Sequence, residues 1–87
     1  MPRNIIFSPF AFEQLQSWIA TNPRVAKKIG ELVEECTRTP FAGKEKPEGL
    51  KGNYKGYWSR RITDEHRLIY KVEAESIHVL SCYGHYE

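Results

Sequence analysis

The last third of the chain constrains its fold most. Three runs, 57–63, 66–72 and 77–83, are rich in β-branched and aromatic residues and are separated only by Asp64-Glu65 and by Glu73-Ala74-Glu75-Ser76. Connections that short join antiparallel neighbours, so the sequence predicts a three-stranded meander. Such a meander needs a partner layer to bury one of its faces. Leu68, Tyr70 and Val72 alternate with Arg67, Ile69 and Lys71, giving the middle strand a mainly apolar face and a mixed one. In the last run Ile77, Val79, Ser81 and Tyr83 alternate with His78, Leu80 and Cys82, which does not separate two faces cleanly.

The partner layer is written upstream. Asn4-Ile5-Ile6-Phe7 predicts a short strand, and Ser8-Pro9 predicts a helix with Ser8 as N-cap and proline in its first turn. Phe12, Leu15, Trp18 and Ile19, spaced by threes and fours, are its expected buried stripe. Asn22-Pro23 repeats the cap-then-proline signal and opens a second helix, with Val25, Ile29, Leu32 and Cys36 as a stripe and Ala26 and Val33 beside it. Thr39-Pro40 stops that helix, because the residue before proline avoids the α region. Residues 41–55 hold three of the six glycines, a proline and mixed charges, and read as loop with one short extended segment. The expectation is an α+β fold, a single domain over residues 1–87: an N-terminal strand, then two helices packed on one face of a mainly antiparallel twisted sheet.

Composition agrees with a compact chain: of 87 residues, 40% are hydrophobic and 28% charged. No apolar run approaches the length of a membrane span and no secretion signal is visible, so the expected location is cytoplasmic, with no membrane partner. Cys36 and Cys82 are expected to be free, half-buried thiols. Charge is unevenly placed. Residues 44–71 carry eight Lys/Arg against four Asp/Glu, a net +4, whereas residues 72–87 carry three acids and no Lys or Arg. The free sheet face is therefore expected to be basic, as a phosphate-binding surface would be.

Cleaving an RNA phosphodiester requires a base for the 2′-hydroxyl proton, an acid for the leaving 5′-oxygen and cations over the phosphate. Arg60, Arg61 and Arg67 offer fixed positive charge, yet exposed strand positions also take arginine for solubility, and the residues alone leave both readings open. His85 suits an acid or an ordinary surface histidine, and Glu48 a base or a solvated loop carboxylate. Tyr57, Tyr83 and Tyr86 can stack on bases or rim the core.

The order of these residues carries more than any of them alone. Arg38-Thr39-Pro40-Phe41, Gly43-Lys44, Lys46-Pro47-Glu48, Leu50-Lys51, Trp58-Ser59-Arg60-Arg61-Ile62-Thr63, Glu65-His66-Arg67-Leu68 and His85-Tyr86 together resemble the YoeB-type toxins of the RelE superfamily. The resemblance implies the RelE-like, microbial-RNase-like version of the α+β fold. It also implies a toxin of a type II toxin–antitoxin pair, an endoribonuclease that cuts messenger RNA in the ribosomal A site and inhibits translation without metal or cofactor. Carried over by motif, Glu48 is the general base, Arg67 the cation on the scissile phosphate and His85 the general acid, with Lys51, Arg61 and Tyr86 as RNA contacts. Implied partners are mRNA on the 70S ribosome, a YefM-like antitoxin, a second copy in a homodimer, and operator DNA only together with the antitoxin. The alternative is a catalytically silent RNA- or ribosome-binding module acting with its antitoxin in transcriptional autoregulation. Departures from the family pattern fall at Gly49, Tyr83, Gly84 and Glu87. The two glycines are expected to loosen the backbone beside Glu48 and His85, and Glu87 to add negative charge near the acid.

Overall fold

The computed structural model describes residues 2–85. Strand β1 (Asn4–Phe7) leads into helices α1 (Pro9–Thr21) and α2 (Pro23–Arg38). A two-residue strand β2 (Glu48–Gly49), a single 3-10 turn (Gly52–Tyr54) and strands β3 (Tyr57–Arg61), β4 (Arg67–Val72) and β5 (Ser76–Ser81) follow. The sheet order is β1-β5-β4-β3-β2, with β1 parallel to β5 and every other pair antiparallel. Both helices lie on one face, where Ala11, Trp18, Ile29, Leu32, Val33 and Cys36 pack against Leu68, Tyr70, Ile77 and Val79. No helix among the described residues is long and apolar enough to cross a membrane.

Both helix starts follow from their caps. Ser8 is extended and its Oγ accepts from the Ala11 N–H at 3.0 Å, while Asn22 Oδ1 accepts from the Val25 N–H at 3.4 Å, each ahead of a proline at the first helical position. Helix α2 buries the expected stripe. Helix α1 does not: Phe12 and Ile19 are 50% and 57% exposed, and the inward line is Ala11, Leu15 and Trp18. Apolar residues occupy two sides of this helix, so spacing alone selects the wrong one.

Strand β5 contains the irregularity behind its ambiguous alternation. Ile69 pairs with Ser81 while Tyr70 pairs with Val79, leaving Leu80 as an extra residue. Such a bulge resets the period of two, and Cys82 turns into the core with no exposed surface. Both thiols are free as expected but fully buried rather than half-buried. Burial pushes the Cys82 thiol up to about 11 and raises that of Cys36, so neither offers a thiolate near neutral pH.

Candidate active site

Side chains at paired positions of adjacent strands share a face, so the ladder Glu48–Ser59–Ile69–Ser81 forms one row on the side away from the helices. Ser59 and Ile69 are buried and make the floor of this row. Glu48 stands exposed at its β2 end. Arg67 lies two residues before Ile69 on the same face; from strand spacing, its backbone and that of Glu48 are about 12 Å apart. His85 is exposed and lines a cavity shared with Ile69 and Ser81 at the other end of the row. Glu48, Arg67 and His85 therefore surround one patch of sheet without hydrogen-bonding to one another.

Arg67 is aimed by the β3–β4 turn, where its Nη1 donates to the carbonyls of Thr63, Asp64 and His66 at 2.7, 3.3 and 3.0 Å. Directly opposite it stands Arg61, exposed, its guanidinium in a 3.7 Å contact with Asp64. Two like charges facing each other across strands are destabilising, a cost that a bound anion would relieve. Arg61→Thr is accordingly expected to raise stability by up to about 1 kcal/mol in urea titrations while weakening RNA binding.

Arg60 is where the free-face expectation fails. Adjacent strand residues point to opposite sides, so Arg60 turns toward the helices and is fully buried. Its guanidinium pairs with the Glu35 carboxylate and donates to Tyr70 Oη (3.1 Å) and to the carbonyls of Lys44 (3.3 Å), Thr39 (2.5 Å) and Ala42 (2.9 Å). It ties the loop leading to Glu48 onto α2. Gly43, with φ of +113°, belongs to the same knot, since a Cβ there would sit 2.5 Å from Glu35 Oε1. Lys51 is exposed just ahead of the 3-10 turn. Tyr86 and Glu87 lie outside the described residues.

The two glycine departures are better fixed than the sequence suggests. Gly49 sits in the β2–β3 ladder opposite Trp58, and the Leu50 N–H next to it donates to Tyr57 O at 2.9 Å. Gly84 adopts φ of +78°, its N–H donates to His66 Nδ1 at 2.8 Å and its carbonyl accepts from the Arg67 N–H at 2.9 Å. The His66 ring packs edge-on against Trp18, and Trp18 Nε1 donates to Cys82 O at 2.8 Å. His66 is a positioning residue for the segment bearing His85, a role its place in the Glu65-His66-Arg67-Leu68 motif does not reveal. His66→Leu is expected to cost about 1 kcal/mol and to speed exchange of the Gly84 amide, whereas His66→Asn, whose Oδ1 can accept the same bond, should restore much of its protection. Unchanged exchange in the leucine variant would remove this role.

Residues 7–86 match the model of the YoeB-like toxin of bacterial type II toxin–antitoxin systems. The chain is 48% identical over 82 residues to Toxin YoeB of Escherichia coli strain K12, covering 94% of this chain and 98% of that protein. Among solved structures it resembles the YoeB dimer from Staphylococcus aureus, with a TM-score of 0.91 at 44% identity over 99% of this chain and all of that one. It also resembles the toxin in a YoeB–YefM complex from the same organism, with a TM-score of 0.88 at 45% identity over 99% and 100% of the two chains.

Proposed function

The chain belongs to the YoeB-like toxins of bacterial type II toxin–antitoxin systems, and on that footing we propose that it is an endoribonuclease that cuts messenger RNA in the ribosomal A site. The observation that carries this reading is the ring of Glu48, Arg67 and His85 around the Ser59–Ile69–Ser81 floor. Glu48 takes the proton of the 2′-hydroxyl, and the freed 2′-oxygen attacks the adjacent phosphorus. Arg67 neutralises the charge that grows on the non-bridging oxygens. His85 gives its proton to the departing 5′-oxygen, so the products are a 2′,3′-cyclic phosphate and a 5′-hydroxyl, and no water is consumed.

The face is open, and in-line attack requires the 2′-oxygen to be held in place. A ribosome presenting a codon supplies that positioning, and Arg61 and Lys51 supply phosphate contacts around it. Tyr86 is proposed as a further RNA contact. Relatives occur as a dimer and with YefM. For this chain we propose the same partners, a second copy and a YefM-like antitoxin, with Ile5 and Ile6 of edge strand β1 and Phe12 and Ile19 of α1 as exposed apolar surface for them.

The test is cleavage of a defined message on purified ribosomes with an empty A site, mapped by primer extension. A cut inside the A-site codon that leaves a cyclic phosphate is expected. A folded, ribosome-bound protein that cuts nothing would leave only a silent binding module acting with its antitoxin.

A further inference from the structure

Beside His85, at the end of the row far from Glu48, opens a cavity of about 430 Å³ lined in part by Phe10 and Gln14 of α1, Tyr54, Ile69, Ser81 and Tyr83. That volume falls within the range of small-ligand sites, about 300–1,000 Å³. Its chemistry is selective. Aromatic faces dominate, and Phe10 and Tyr83 remain 64% and 58% exposed, a large outlay of apolar surface on water. Gln14 Oε1 already accepts from the Cys82 N–H at 2.7 Å and its amide nitrogen carries donors, and the Ser81 hydroxyl adds a donor or acceptor. Among the described residues of these walls, His85 is the one titratable group besides the two tyrosines. A flat, uncharged ligand with π faces and edge acceptors fits this lining, which describes a nucleobase.

The reaction geometry says which one. In the order β2-β3-β4-β5, Glu48 sits on one flank of the floor and His85 follows β5 on the other. The base acts on the nucleotide that carries the attacking 2′-oxygen, and the acid on the oxygen of the nucleotide that leaves. The leaving, 3′ nucleotide therefore lies on the cavity's side. We propose that this cavity receives the nucleobase of the nucleotide immediately 3′ of the cut and sets the preference for it. The proposal rests on the ribonuclease reading above.

Two readings on programmed ribosomes test it. In the first, Phe10→Ala, an exposed residue whose loss should leave the unfolding midpoint unchanged, is expected to slow cleavage of an ordinary message about ten- to a hundredfold. An abasic residue 3′ of the cut should slow the wild type by the same factor and Phe10→Ala no further. In the second, a message made uncleavable by a 2′-deoxy residue carries 2-aminopurine at the 3′ position; the wild type should quench its fluorescence and Phe10→Ala should not. Cleavage by the wild type with no quenching and no sensitivity to Phe10 or to the abasic residue would overturn the site and leave the ribonuclease reading standing. Quenching without cleavage would do the reverse. If Phe10→Ala weakened only antitoxin binding, these walls would belong to a protein interface and the proposal would fail.

Discussion

Replacing Arg60 with methionine is expected to cost the fold about 3–5 kcal/mol, the loss that follows when one member of a buried ion pair is removed. All five guanidinium donors are engaged, on Glu35, Lys44, Thr39, Ala42 and Tyr70. Methionine would fill much of the volume and satisfy none of these groups. Arg60→Lys is expected to rescue little, because an ammonium cannot reproduce the planar fork. Urea unfolding measures both, and a cost below about 1 kcal/mol for methionine would show that the loop is held by other means. The same knot makes stability depend on acid. Burial pushes the Glu35 carboxyl up, but the Lys44 amide and the Arg60 guanidinium outweigh it and hold it below its ordinary value of 4.5. Its stabilisation is therefore fully present above that value and lost as pH falls through the lower, folded one. The stability gap between wild type and Glu35→Gln should shrink over that acid range.

That knot also marks where a sequence stops being readable. Ser8-Pro9, Asn22-Pro23 and Thr39-Pro40 announce themselves because capping and proline geometry act within a few residues, and the helix limits follow them. The meander was legible for a similar reason: two short connections leave little choice of partner. Arg60 was not. Strand parity places it opposite Arg61, but its meaning depends on Glu35, which lies 25 residues earlier on another element. The α1 stripe failed because Phe10, Phe12 and Ile19 are apolar yet outward, a choice that packing against β5 and α2 decides. Leu80 misled because a bulge is a property of two strands together. In the candidate site, motif order singled out Glu48, Arg67 and His85 as candidates, while His66 and Gly84, which fix the segment carrying His85, became visible only through their hydrogen bond.

The largest functional effects are expected at the three residues around the sheet floor. His85→Ala and Glu48→Ala should each lower single-turnover cleavage about 10²- to 10⁴-fold, the usual worth of a positioned acid or base. Arg67→Ala should lower it about 10²- to 10³-fold. Binding to the ribosome should survive all three, since Arg61 and Lys51 remain. Each variant also needs a structural control, because Arg67 holds the β3–β4 turn through three carbonyls and its backbone N–H anchors Gly84. Arg67→Lys separates the roles: lysine can cap the turn but cannot both cap it and grip a phosphate through a second nitrogen. Intact Gly84 amide protection with cleavage still depressed would place Arg67 on the phosphate. In the proposed mechanism the three groups act in one transition state, so the doubly substituted Glu48→Ala/His85→Ala protein should lose much less than the product of the single effects. A His85→Ala variant that keeps more than about a tenth of the wild-type rate would deny His85 the acid's role and send the search to another proton donor along the same cavity wall, where Tyr83 and Tyr54 already stand.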